Sequence, residues 1–147
     1  MTVTLAPVSA AHDGLLAALH AQCFREAWSE GAMAGLLSLP TTFGFVAVRA
    51  DEPCGFVLAS LAGGESEILS IAVVPARRGS GIGTVLLAAA VETARAAGAD
   101  RMFLEVAADD PAALALYRAG GFAPAGRRAN YYGSGVDALL MSRRLEA

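Results

Sequence analysis

Leu69-Ser70-Ile71-Ala72-Val73-Val74-Pro75-Ala76-Arg77-Arg78-Gly79-Ser80-Gly81-Ile82-Gly83-Thr84-Val85-Leu86-Leu87-Ala88-Ala89-Ala90 passes from a β-rich apolar run, through a basic glycine loop, into an amphipathic helix. Pro75 ends the strand. Ile82, Val85, Leu86, Ala89 and Ala90 then follow the i, i+3, i+4, i+7, i+8 template of a helix with one apolar face. Gly98 gives that helix a C-terminal stop. Glycines at 79, 81 and 83 let the backbone approach a ligand closely. The first N–H groups of a helix favour a diphosphate, assisted by the helix dipole and by Arg77 and Arg78. Taken alone, the same loop reads equally as a flexible turn carrying two solvated arginines. Two nucleotide motifs fail on inspection. No Gly-Lys pair follows as a P-loop needs, and the dinucleotide fingerprint meets Thr84 or Leu86 where it requires glycine.

Outward from this unit the chain alternates strands and helices. Upstream, Thr2 to Val8 reads as a strand, Ser9 as the cap of a helix carrying Leu15, Leu16, Leu19 and Cys23, and Trp28-Ser29 as the start of a second helix. Leu36, Leu37 and Leu39 fall late in that helix, with Pro40 as its stop. Phe43 to Ala50 and Gly55 to Ala62 form a hairpin about an Asp51-Glu52-Pro53 turn. Gly63-Gly64 turns into the strand Glu67 to Val74. Downstream come a buried strand, Arg101 to Val106, and a helix capped by Asp109 or Asp110 with Pro111 at its start, ending at Gly120-Gly121. Phe122 to Asn130 and Val136 to Leu145 are the last two strands. The order β-α-α-β-β-β-α-β-α-β-β is that of one mixed α/β (α+β) domain over residues 1–147, without a linker or repeat.

Composition bounds the function. With 147 residues, 55% of them apolar, the chain can bury a core unaided, and no apolar stretch reaches membrane-span length. The N-terminal residues lack the basic-then-apolar pattern of a secretory signal. Cys23 and Cys54 lie far apart, with no CxxC spacing and only His12 and His20 beside them. This is not a metal-binding pattern, and it suits a reducing, cytoplasmic compartment. A net charge of −3 argues against nucleic acid as the primary ligand.

Arg78-Gly79-Ser80-Gly81-Ile82-Gly83 matches the [QR]xxGx[GA] signature of the GNAT superfamily of acetyl-CoA-dependent N-acetyltransferases, in the strand–loop–helix setting that family uses. Leu104-Glu105-Val106, Ala113-Leu114-Ala115-Leu116-Tyr117, Gly120-Gly121-Phe122 and Asn130-Tyr131-Tyr132 are similar to its ribosomal-protein-alanine N-acetyltransferase branch. The likeness covers most of the chain and is densest over residues 67–141. It implies a GNAT fold, a mostly antiparallel sheet of about seven strands flanked by about four helices. It also implies acetyl-CoA as co-substrate, without a metal, and a primary amine as acceptor, most directly a protein N-terminus. Ile71, Ala72 and Val73 fall where the family's splayed strand pairs with the pantetheine arm, and Arg78 with Gly79, Ser80, Gly81, Ile82, Gly83 and Thr84 where it holds the pyrophosphate. Glu105 takes the place of the general base and Tyr117 that of the general acid.

Those two roles are chemically sensible. An α-amine with a pKa near 8 arrives largely as ammonium and must lose a proton before attacking a thioester. A departing thiolate is stabilised by a phenol beside it. Without the resemblance, Glu105 reads as a charge pointing outward from an edge strand, and Tyr117 as a ring packed on the core. His20 reads as a helix-surface or packing residue, Phe24 and Trp28 as core packing with the lining of the acceptor cleft as the alternative, and both cysteines as small buried hydrophobes. Two departures stand out. Asp110 occupies a cofactor-contacting position that is commonly Asn, and the Gly133-Ser134-Gly135-Val136 loop is short. The alternatives are acetylation of a small-molecule amine, or a silent acetyl-CoA-binding module.

Overall fold

The computed structural model describes residues 2–131 and 135–145. The expected segment Tyr132-Gly133-Ser134 and the terminal residues Met1, Glu146 and Ala147 lie outside the described residues. The chain forms β1 (Val3–Pro7), α1 (Asp13–Cys23), α2 (Glu30–Leu37), β2 (Thr42–Arg49), β3 (Glu52–Ala62), β4 (Glu65–Val73), α3 (Ile82–Ala96), β5 (Arg101–Ala107), α4 (Pro111–Ala119), β6 (Ala123–Arg128) and β7 (Ala138–Arg144). Short 3-10 turns at Ala10–His12 and Pro75–Arg77 lead out of β1 and β4. The strands make one sheet in the order β1-β2-β3-β4-β5-β7-β6, antiparallel throughout except for β4 against β5. The element order is the one expected, and so is the seven-stranded mixed sheet with four helices.

Local chemistry explains most boundaries. Ser29 caps α2, its hydroxyl accepting from the Ala32 N–H at 3.1 Å. Asp110 caps α4, its carboxylate accepting from the Ala113 N–H at 3.1 Å, with Pro111 as the first helical residue. Gly98 and Gly121 adopt positive φ, and the Ala99 and Phe122 N–H groups reach back to Ala94 and Tyr117, closing α3 and α4 with six-to-one bonds. Several boundaries differ from expectation: α1 begins at Asp13 with His12 at its N-cap, and Ser9, expected to cap it, precedes the 3-10 turn Ala10–His12 instead. Helix α2 stops at Leu37, so Leu39 lies beyond it and is exposed. The β2–β3 turn is Ala50-Asp51, both at positive φ, and Glu52 and Pro53 already belong to β3. Cys54 is the extra residue of a bulge that then restores the register, since Val48 pairs Pro53 while Ala47 pairs Gly55.

Both faces of the sheet are covered. Leu86, Ala90 and Ala94 of α3 pack with Val57, Met102, Leu104, Val106 and Met141 on one face. On the other, Leu16 and Leu19 of α1 and Met33 of α2 pack with Val46, Phe56 and Leu58. Alanines on α3 let the helix lie close to the strands. Leu104 and Val106 face α3, so the two-residue period of β5 turns Glu105 to the α1–α2 face.

The feature that positions a site lies between β4 and β5. They pair only at Glu65–Arg101, Ser66–Met102 and Glu67–Phe103. Beyond Glu67 the strands part, while β4 stays on β3 through a bulge at Leu69 (Ala59 pairs Ile68, Leu58 pairs Ser70). The gap so opened runs through the sheet.

Candidate active site

Two adjoining cavities occupy the gap, sharing Phe24, Ile71, Asp110 and Ala113 among their walls. The first, about 630 Å³, follows the end of β4 and the start of α3. Ile71, Ala72, Val73, Arg78, Gly79, Gly81, Ile82, Gly83, Thr84 and Asp110, all named in the sequence analysis as cofactor candidates, border it. Ser80 is the exception: its hydroxyl turns back to donate to the Arg77 carbonyl and tightens the loop instead.

Direction along β4 can be read from its bonds. The Val73 carbonyl faces the gap, accepting from Arg78 Nε at 2.9 Å and from the Cys23 thiol at 3.5 Å. The period of a strand puts the backbone of Ile71 on the same side and turns that of Ala72 toward β3. A Cβ built on Gly55 of β3 would indeed lie 2.7 Å from the Ala72 oxygen. Ile71 and Val73 therefore offer the ladder positions to an extended ligand, and one pairing at Val73 takes the place of Arg78. Ala72 contributes wall only.

The loop ends at the N-terminus of α3. Gly81 is its N-cap, at φ 85° and without a side-chain cap, so the Ile82, Gly83 and Thr84 N–H groups have no partner within the helix. Gly79 stands at φ 81°. A Cβ on either glycine would meet nothing within 4 Å, so the positive φ, not crowding, demands glycine there. Arg77 and Arg78 flank this end of the cavity. Backbone donors, a helix dipole and two guanidinium groups suit a diphosphate.

The second cavity, about 400 Å³, is where the two faces of the sheet meet. Glu105 enters from the α1–α2 face and Tyr117, on α4, from the α3 face. Glu105 is not on an edge strand, since β5 lies between β4 and β7. Its side chain is 21% exposed. Oε1 lies 3.2 Å from Nη2 of Arg128, and Oε2 is buried without a hydrogen-bond partner. Tyr117 is buried, its ring edge-on to Phe122 at 6.2 Å. The cavity thus contains a carboxylate with one unused oxygen and a phenol, reached through the gap from the glycine loop.

The opposite wall is aromatic. His20 is buried, stacked on Phe24 at 4.3 Å and on Trp28 at 4.7 Å. Its Nδ1 accepts from the Trp28 N–H at 3.1 Å, and burial pushes the imidazole pKa below its ordinary value, which favours that neutral acceptor form. His20 thus packs and anchors the α1–α2 connection. Phe24 and Trp28 both border the cavity, Phe24 being exposed. Cys54 is buried, whereas Cys23 is half-buried at the first cavity. Arg128 escaped the sequence reading because nothing in Gly126-Arg127-Arg128 marks which arginine the sheet brings to Glu105.

Asp137 holds the turn beyond β6 together. It accepts from Arg127 at 2.6 Å and from the Asn130 N–H at 2.8 Å, and the Arg127 bond keeps its carboxyl below the usual range. Among the described residues no helix is long and apolar enough to cross a membrane.

Comparison with known proteins gives a consistent picture. A family model described as the acetyltransferase (GNAT) family matches residues 15–122. The N-alpha-acetyltransferase RimI of Mycobacterium tuberculosis is 46% identical over 80 residues, covering 54% of this chain and 49% of that protein. A putative ribosomal protein bS18-alanine N-acetyltransferase of Bacillus subtilis is 40% identical over 78 residues, covering 52% of each. The matched segment spans about half the length of these curated relatives. The crystal structure of the ribosomal-protein-S18-alanine N-acetyltransferase from Escherichia coli superposes with a TM-score of 0.93, covering 99% of this chain and 96% of that one at 24% identity.

Proposed function

The chain belongs to the acetyltransferase (GNAT) family, and from that premise we propose that it transfers the acetyl group of acetyl-CoA to a primary amine. The acceptor in this reading is the N-terminal α-amine of a protein, such as a ribosomal protein beginning with alanine. The relatives from Mycobacterium tuberculosis and Bacillus subtilis favour that acceptor class. The observation that carries the reading is the meeting of Glu105 and Tyr117 in one cavity that opens onto the glycine-loop cavity.

In this account the pyrophosphate rests on the N–H groups of Ile82, Gly83 and Thr84 with Arg77 and Arg78 beside it. The pantetheine arm runs along Ile71 and Val73, and the thioester arrives in the gap near Tyr117. Asp110 borders both cavities, but its side chain is engaged as the α4 cap. Its part toward the cofactor is to fix the start of α4. Glu105 takes a proton from the acceptor ammonium, directly or through one water at Oε2. The free amine attacks the carbonyl carbon, an N–C bond forms and the C–S bond breaks. The sulfur leaves as thiolate and takes the Tyr117 proton, while the surplus proton on the new amide nitrogen returns to the phenol through solvent. No covalent enzyme intermediate is needed.

Thermal unfolding with ligand tests the cofactor half. Acetyl-CoA at 100 times its Kd stabilises the fold by about 2.7 kcal/mol, while NAD leaves it unchanged. Gly81→Val strains a left-handed position at a cost of about 1–3 kcal/mol and weakens the acetyl-CoA shift at a fixed concentration. Equal shifts with both nucleotides, or none with acetyl-CoA, would remove the reading.

A further inference from the structure

Ser70 is a polar side chain that the fold buries without bonding. It is 9% exposed, and its hydroxyl takes part in none of the side-chain hydrogen bonds among the described residues. A buried hydroxyl ordinarily finds a partner inside the fold, and one left over weakens it. The bulge at Leu69 explains where Ser70 stands. Glu67 pairs with Phe103, so an unbroken parallel register would set residue 69 opposite Glu105. The extra residue of the bulge moves Ser70 into that place. It also selects the face. Ser70 pairs with Leu58, which packs with Leu16 and Met33, so both side chains point to the α1–α2 side, as Glu105 does. Ser70 and Glu105 therefore stand on one face, on either side of the gap, and border the same cavity of about 400 Å³. The next residue, Ile71, borders both cavities.

We propose that Ser70 is an acceptor-binding residue: its hydroxyl oxygen accepts an N–H of the incoming amine, across the gap from Glu105, and turns the nitrogen lone pair toward the thioester. The proposal rests on the reading of Glu105 as the base and of the acceptor as a primary amine. An ammonium brings three N–H donors into a cleft walled in large part by Phe24, Trp28, Leu69 and Ile71. Oε2 of Glu105, buried without a partner, receives one of them as the proton is removed. Two N–H groups remain on the neutral amine, and leaving either unmet weakens binding. The other polar side chains of the cavity are committed or remote. Asp110 caps α4, Nδ1 of His20 accepts from the Trp28 N–H, and Glu26 is exposed. Tyr117 enters from the opposite face and serves the sulfur. Ser70 is left, beside the Ile71 backbone along which the pantetheine arm runs. Its oxygen accepts through two lone pairs and carries no charge to be neutralised.

Ser70→Ala removes the hydroxyl alone. No hydrogen bond of the fold is lost with it, so the melting temperature is expected to hold or rise. Calorimetry on the CoA-loaded protein compares an alanine-started peptide with the same peptide begun by a propionyl group, in which hydrogen replaces the amine. Ser70→Ala is expected to weaken binding of the amine peptide about ten-fold and to leave the propionyl peptide unchanged. With acetyl-CoA present, acceptor kcat/KM falls at least as far and acetyl-CoA KM does not change. That deficit stays constant with pH, because Ser70 moves no proton. Equal weakening of both peptides would make Ser70 part of the wall only and overturns the proposal, as does unchanged binding of both. A deficit that narrows as pH rises toward the amine pKa overturns it too, by placing Ser70 behind Glu105 in the proton path. A wild type that binds neither peptide removes the acceptor reading and this proposal with it, so the two failures are told apart.

Discussion

Glu105→Gln is expected to lower kcat/KM for an amine acceptor by about 10²–10⁴-fold, equivalent to about 2.7–5.5 kcal/mol of transition-state stabilisation. Glutamine keeps the size of the side chain and removes the only property the mechanism asks of it, the capacity to take a proton. The fold should tolerate the change. Among the described residues Oε1 is partnered by an exposed arginine, and the buried Oε2 has no hydrogen bond to lose. The acetyl-CoA-induced thermal shift is therefore retained. The pH profile supplies a second signature. As pH rises through the amine pKa near 8, more acceptor arrives already neutral, so the deficit of the variant narrows. Activity within five-fold of wild type, with a deficit that does not vary with pH, would place the base elsewhere.

Phe56→Ala is expected to destabilise the protein by about 3–5 kcal/mol and to lower its melting temperature by roughly 10 °C. Phe56 is fully buried at the centre of β3, between Leu16 and Leu19 of α1, Met33 of α2 and the neighbouring strand residues. Its ring also lies 6.2 Å from that of His20, which stacks on Phe24 and Trp28. The aromatic wall of the cleft is therefore built on this side chain. Its removal leaves a cavity beneath the wall and raises the acceptor KM more than the acetyl-CoA KM. Thermal unfolding followed by far-UV circular dichroism gives the first quantity and kinetics the second. A loss below about 1.5 kcal/mol would mean that α1 and α2 collapse into the space.

The parts legible in the sequence were those governed by local chemistry. The Arg77–Thr84 loop announces itself because the left-handed φ at 79 and 81 falls on glycines, which hold it without strain. The helix start at Ser29, a cap at Asp109 or Asp110 and the stop at Gly98 follow from side-chain reach and backbone freedom, whereas Ser9 offers the same cap chemistry and does not cap α1. The β2–β3 turn was misplaced because Ala50 and Asp51 hold positive φ without a glycine to signal it, while Pro53 imitates a turn residue from inside a strand. The extent of α2 was overrun for a similar reason, since Leu39 continues an apolar run but lies past the last helical turn. Glu105 is singled out by resemblance alone, and its environment is not legible in the sequence. That β5 is an inner strand, that β4 leaves it after Glu67, and that Arg128 comes from β6 to Oε1 are consequences of strand order, which no local pattern encodes.

Mass spectrometry of an alanine-started peptide containing an internal lysine, incubated with the protein and acetyl-CoA beside the same peptide with a blocked N-terminus, tests the account most directly. The account predicts one added acetyl group, on the free α-amine alone, and none on the blocked peptide. Acetylation of the lysine in both peptides, or acetyl-CoA binding with product only from small-molecule amines, would contradict it.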